Sequence, residues 1–191
     1  MSADEPTTEL WLVRHGETEW SRDGRHTSHT DLNLTENGVD VARTLHGRLA
    51  GEPFDLALCS PMRRARRTAE LAGFTEVEVD KDLTEWDYGD YEGVSTPDIR
   101  ESVPGWTVWT HPTPGGETPE HVTERLDRVV SRVRDHGGRV LAFGHGHALR
   151  ALAARWIGRP VTDGQLFKLD TATVGTLGYE RDVPVVVRWN C

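Results

Sequence analysis

The chain of 191 residues carries 31 acidic and 22 basic side chains, a formal net charge of −9, and is 36% hydrophobic and 28% charged. That length holds one ordinary domain with a full core, and no apolar run approaches the roughly 20 residues that cross a bilayer. The acidic balance argues against a nucleic-acid surface, which needs clustered Lys and Arg. It also means that any site for a small anion must concentrate its positive charge in one pocket.

The opening residues MSADEPTTE are short, polar and acidic, unlike a secretory or transit signal, and read as a loose tail over residues 1–8. The apolar run Leu10 to Val13 reads as a buried strand and stops abruptly on Arg14-His15-Gly16, where the glycine allows a sharp turn. Thr35 can cap a helix whose Val39, Ala42, Leu45 and Leu49 fall at helical spacing, with Gly51 and Pro53 as stop signals. Leu56 to Cys59 is a second strand, followed by Ser60 and the basic run RRARR at 63–67. On a helix, Arg63, Arg66, Arg67 and Glu70 form a solvated side and Ala65, Thr68, Ala69 and Ala72 the other, which leaves Arg64 as the arginine turned inward, over Thr68 and near Leu71.

Residues 80–117 fit this rhythm poorly. Trp86, Tyr88, Tyr91, Trp106 and Trp109 lie there among prolines and glycines, in a stretch too long and aromatic for a plain connection. It reads as a lid or pocket wall, its aromatic side chains either accepting a ring-bearing leaving group or packing the segment onto the core. From Thr118 to His136, Val122, Leu126, Val129, Val130 and Val133 make one helical stripe closed by Gly137-Gly138. A strand RVLAF at 139–143 then runs into Gly144-His145-Gly146-His147, and a helix from His147 to Ile157 stops at Gly158 and Pro160. Two final strands, Thr173 to Tyr179 and Val183 to Trp189, are joined by a tight turn at 180–182. The alternation predicts a single α/β domain over 1–191, a three-layer sandwich with a mostly parallel sheet and helices on both faces. Two cysteines, Cys59 and Cys191, are too few for a disulfide framework and suit a reducing cytoplasm.

In open α/β sheets ligands gather beyond the carboxyl ends of the strands. Three strands end here in Arg14-His15, in Ser60 before Arg63-Arg64, and in His145-Gly146-His147, close to a helix start that offers N–H groups and its positive dipole end. That combination predicts an anion pocket, with phosphate as the anion. The HGH triplet also admits a metal reading, but HxH supplies two ligands only and no cysteine or compact carboxylate cluster adjoins it. No metal is expected. Among the acidic residues of 85–92, Glu85 stands beside Trp86 and Tyr88, where desolvation raises a carboxyl pKa and suits it to act as an acid.

The stretches LVRHGETEW at 12–20, LTENG at 34–38, SPMRRARRTAE at 60–70, EWDYGDYEG at 85–93, GGET at 115–118 and GHGHALRAL at 144–152 occur in one order over most of residues 10–158. As a set they resemble the histidine phosphatase superfamily, in the branch of cofactor-dependent phosphoglycerate mutases and their phosphatase relatives. The resemblance implies a phosphoglycerate mutase-like fold in which His15 is the nucleophile, Arg14 and Arg64 hold the phosphoryl oxygens, His145 completes the pocket and Glu85 donates the proton. It further implies that Gly146 contributes its N–H and that Ser21 and Thr27 are polar contacts, although asparagine is common at the position of Ser21 and glycine at that of Ser28. The implied activity is hydrolysis of small phosphorylated metabolites through a phosphohistidine, without cofactor or metal, with a bell-shaped pH profile and an acidic to neutral optimum, in a monomer or homodimer. A mutase is the alternative. It would need extra cations after the YGD motif, where this chain has only Arg100 and tryptophans, and it is typically longer. A non-catalytic sensor of phosphorylated ligands is the alternative of another class, and the presence of both His15 and Glu85 weighs against it.

Overall fold

The computed structural model describes residues 8–191, so that all of the expected tail except Thr8 lies outside the described residues, and Thr8 itself is buried. A six-stranded sheet holds β1 (Glu9–Arg14), β2 (Leu56–Cys59), β3 (Glu78–Val79), β4 (Arg139–Gly144), β5 (Val174–Glu180) and β6 (Val183–Arg188), in the spatial order β3-β2-β4-β1-β5-β6. β1, β2, β3 and β4 run parallel, while β5 pairs antiparallel with both β1 and β6.

The helices are α1 (Glu19–Arg22), α2 (Glu36–Leu49), α3 (Arg63–Leu71), α4 (Thr96–Ser102), α5 (Pro119–His136) and α6 (Gly146–Trp156). Side chains alternate across the pleat, and the alternation in β1 sorts them into two cores. Leu10 and Leu12 join Leu126 and Val129 of α5 and Leu149 and Leu152 of α6, whereas Trp11 and Val13 join Leu45 and Leu49 of α2 and Ala65 and Ala69 of α3. Helices therefore cover both faces, which is the three-layer α/β architecture that continuous apolar runs in parallel strands require.

Caps follow the expected chemistry. The Thr35 hydroxyl accepts from the Gly38 N–H at the start of α2, and Thr118 accepts from His121 at the start of α5. Two short helices, α1 and α4, went unread because neither is long enough to show a hydrophobic period. In the 80–117 stretch, Trp86, Tyr88, Trp106 and Trp109 are buried within the core on the α5–α6 side. Packing accounts for most of these aromatics, and Tyr88 alone among them also lines a cavity, one that it shares with Arg14 and His15.

Candidate active site

Register places the site. Arg14 at the end of β1 pairs with Gly144 at the end of β4, the His15 N–H donates to the Gly144 carbonyl at 3.0 Å, and the Ser60 N–H donates to the Phe143 carbonyl at 2.9 Å. His15, His145 and Ser60 thus leave three neighbouring strands at the same edge. Gly16 is required by close approach rather than by an unusual dihedral, since a Cβ there would lie 2.6 Å from the Gly38 carbonyl oxygen. The Gly16 N–H is received by the Thr68 hydroxyl at 2.9 Å, which in turn donates to the Arg64 carbonyl at 2.7 Å.

The His15 ring is buried, and its Nδ1 lies 2.7 Å from the Gly16 carbonyl oxygen. A carbonyl only accepts, so Nδ1 carries the proton and Nε2 keeps its lone pair. Burial, reinforced by the guanidinium groups of Arg64 and Arg14, holds the imidazole well below its ordinary pKa despite that hydrogen bond. His15 is therefore neutral, with one free nucleophilic nitrogen.

Arg64 is fully buried, as its place on α3 predicts, while Arg63, Arg66, Arg67 and Glu70 are exposed. Its guanidinium donates to the carbonyls of Ser28 (2.9 Å), Thr30 (3.0 Å) and Thr27 (3.3 Å), and its Nε–H donates to His145 Nδ1 at 3.2 Å. Because Nδ1 accepts, His145 carries its proton on Nε2 and donates it to the Ser60 hydroxyl at 2.7 Å. Burial and Arg64 hold the His145 pKa well down, so this histidine adds no charge of its own. Arg14 donates from Nη1 to the Leu169 carbonyl, and its buried Nε–H has no protein acceptor among the described residues. The Arg14 guanidinium packs on Gly146, where a Cβ would stand 3.2 Å from its central carbon.

Glu85 is buried with its carboxylate accepting three backbone N–H groups: Ala148 at 2.8 Å, Trp86 at 2.9 Å and His147 at 3.1 Å. Two N–H groups of the first turn of α6, those of His147 and Ala148, are thus taken by Glu85 rather than left for an anionic ligand. The Gly146 N–H takes no protein acceptor among the described residues.

One cavity of about 150 Å³ is lined by Arg14, His15, Ser21, Thr27, Glu85 and Gly146, six of the eight residues expected at the site. Arg64 and His145 stand immediately behind it, with the His15 and His145 ring centroids 5.2 Å apart. The Ser21 hydroxyl is committed to capping α1, donating to the Thr18 carbonyl and accepting the Thr18 N–H. The same cavity is lined by Tyr88 and His147 and by Arg25, His26 and Arg150, the last three of which sequence reasoning did not single out. A signal was present for Arg150, which lies four residues after Gly146 on the same helix face. A second, larger groove of about 330 Å³ lies on the outer side of α3 among Arg63, Arg66 and Arg67, away from this chemistry.

The two histidines of the HGH triplet engage different partners, His145 bonding Arg64 and Ser60 and His147 Nδ1 lying 2.5 Å from the Tyr88 hydroxyl. Among the described residues no group of three or more His, Cys, Asp or Glu is placed to hold a metal ion. Burial pushes the Cys59 thiol up to about 12, which makes it a poor nucleophile. No helix among the described residues is long and apolar enough to cross a membrane.

A family model for the histidine phosphatase superfamily, branch 1, matches residues 10–191. The chain belongs to this superfamily. It is 46% identical over 179 residues to an acid phosphatase of Mycobacterium tuberculosis, covering 91% of this chain and 88% of the relative. It is 34% identical over 172 residues to an adenosylcobalamin/alpha-ribazole phosphatase of Escherichia coli, covering 84% and 85%. The solved structure of a Mycobacterium tuberculosis open reading frame product superposes with a TM-score of 0.91 at 45% identity, covering 96% of this chain and 97% of that one. This histidine phosphatase is an enzyme of the phosphatase kind, and its sheet order and two-sided helical cover are those of the superfamily's fold.

Proposed function

We propose that this histidine phosphatase hydrolyses small phosphomonoesters in the cytoplasm through a phosphohistidine at His15, as a single catalytic domain that needs neither metal nor cofactor. The observation that carries the reading is the His15 tautomer: Nδ1–H is tied to the Gly16 carbonyl, which leaves Nε2 free on a residue that lines the cavity with Arg14 and Glu85. Nε2 attacks phosphorus and the phosphorus–oxygen ester bond breaks, while the Glu85 carboxyl passes its proton to the departing alkoxide. Water then attacks the phosphohistidine, its proton goes to the Glu85 carboxylate, the nitrogen–phosphorus bond breaks, and inorganic phosphate leaves. Arg14 and Arg64 hold charge around the phosphoryl oxygens, as such a transfer needs. The Gly146 N–H and Thr27 supply neutral contacts, whereas the Ser21 hydroxyl is held by Thr18.

The segment after the YGD motif brings no cation to the cavity, because Arg100 donates to the Trp106 carbonyl at 2.8 Å and does not line it. The test is phosphate release with and without EDTA, comparing the wild type with His15→Ala. Release that resists EDTA and vanishes in His15→Ala is expected, whereas full activity in His15→Ala overturns the mechanism and strong loss with EDTA restores a metal. Isomerisation of 3-phosphoglycerate, with its bisphosphorylated cofactor, faster than phosphate release would instead make the enzyme a mutase.

A further inference from the structure

The pocket holds more positive charge than one phosphoryl group uses. Five arginines outside the pocket, Arg125, Arg128, Arg132, Arg139 and Arg155, each meet a carboxylate at 2.5–2.8 Å, and Arg100 and Arg134 are held by backbone carbonyls away from the cavity. Arg14, Arg25, Arg64 and Arg150 meet none within 4.0 Å among the described residues. Arg14 and Arg64 suffice for a phosphoryl dianion. The single carboxylate in the cavity, Glu85, is already held by three backbone N–H groups.

The two remaining cations are oriented without being neutralised. Arg150 donates its Nε–H to the Gly164 carbonyl at 3.0 Å and one Nη2–H to Gln165 at 3.4 Å, with its central carbon 4.8 Å above the Trp109 ring. Carbonyl dipoles and an aromatic face hold a guanidinium in place and leave its charge intact. Arg25 lies on the exposed loop after α1, its central carbon 5.9 Å over the Trp20 ring, and its guanidinium has no hydrogen-bond acceptor among the described residues. Trp86, Trp106 and Trp109 are buried in the core and offer no face to an aromatic leaving group. The cavity of about 150 Å³ is small beside the roughly 300–1,000 Å³ of sites for drug-sized ligands.

We propose that Arg25 and Arg150 form a second anion subsite beside the phosphoryl pocket, so that the preferred substrates are short-chain phosphomonoesters bearing a second anionic group, a carboxylate or another phosphate. The proposal rests on the phosphatase reading and adds its substrate class. Cationic contacts that form only with the second anion favour such substrates over matched esters lacking it.

The test is kcat/KM for two matched pairs: 3-phosphoglycerate with glycerol 3-phosphate, and propane-1,3-diol bisphosphate with its monophosphate. In the wild type the doubly anionic member of at least one pair is expected to be favoured by about tenfold or more, and the favoured pair identifies the second anion. In Arg25→Gln, a change at an exposed side chain, that ratio is expected to fall toward one through KM. Arg150→Gln is expected to do the same and Arg150→Lys to retain part of it. Ratios near one in a wild type that hydrolyses all four esters overturn the subsite and leave the phosphatase reading intact, as does a wild-type preference unchanged in Arg25→Gln. Failure of the wild type to release phosphate from any of the four overturns the phosphatase reading and the subsite with it.

Discussion

His15 and Glu85 line the same cavity but are secured in different ways. His15 continues a parallel strand pair: its N–H extends the β1–β4 ladder to Gly144, and the next N–H is received by Thr68 on α3. Glu85 lies in a segment with little regular structure, and its neighbours are clamped by one buried side chain. Arg125 of α5 donates to the carbonyls of Asp82 (2.7 Å) and Thr84 (2.8 Å) and grips Glu117 at 2.7 and 2.9 Å, while the Glu117 carboxylate accepts the Asp87 N–H at 3.0 Å. His15 is thus positioned by a ladder of main-chain bonds that many side-chain changes leave standing. Glu85 is positioned by a clamp that a single substitution can open.

The largest effect is expected at the proposed nucleophile, where His15→Ala should lower kcat/KM by about 10⁴-fold or more, as loss of a nucleophile does elsewhere. Residual activity within tenfold of wild type would remove His15 from its role. Glu85→Gln should cost about 10² to 10⁴-fold on alkyl phosphates, the span of general acid catalysis. On p-nitrophenyl phosphate, whose leaving group needs no proton, the loss should be distinctly smaller, and equal losses on both esters would rule out proton donation.

The clamp itself is tested by stability. Arg125→Met leaves the half-buried Glu117 carboxylate without its partner and should cost about 3–5 kcal/mol in urea unfolding, together with a fall in kcat on alkyl phosphates. Pairing it with Glu117→Leu should recover much of the stability but not the rate. A double variant as unstable as the single one would show that the ion pair is not what holds the segment.

Acid should weaken both sides together. His15, His145, His147 and His26 are held below their ordinary pKa chiefly by burial, His26 to about 4. The unfolded chain therefore takes up protons near pH 6.5 while the native state does not. Stability is full above about pH 6.5 and drains away as pH falls toward 4, with His26 alone accounting for about 3 kcal/mol. Urea midpoints at pH 7.5 and 4.5 check this, and equal midpoints would contradict it. At the small end, Thr68→Val strands the buried Gly16 N–H and should cost about 1–3 kcal/mol. Arg66→Gln, two residues away on the exposed side of the same helix, should stay within about 0.5 kcal/mol; a comparable loss there would erase the distinction between the two faces of α3.

Much of the His15 side could be read directly from the chain. An apolar run that stops on Arg14-His15-Gly16 marks a strand end, and a helix with four solvated positions leaves Arg64 facing inward, because burial imposes a period on local sequence. Glu85 was legible through its aromatic neighbours Trp86 and Tyr88 and through resemblance to a family pattern, since no periodicity marks the stretch around it. The binding of its carboxylate to the first turn of α6 was not legible at all, nor was the neutral tautomer of His145, nor the company of Arg25 and Arg150.

By itself, then, the sequence determined which segments are buried, where strands and helices end, and which residue types sit at those ends. Tertiary structure alone decided which groups face the cavity and which stand behind it, and which cations lack a carboxylate. Burial is a local property repeated along the chain every two or 3.6 residues. A hydrogen bond between Glu85 and Ala148, or between Arg64 and His145, depends on the path of the 60 to 80 residues that separate them.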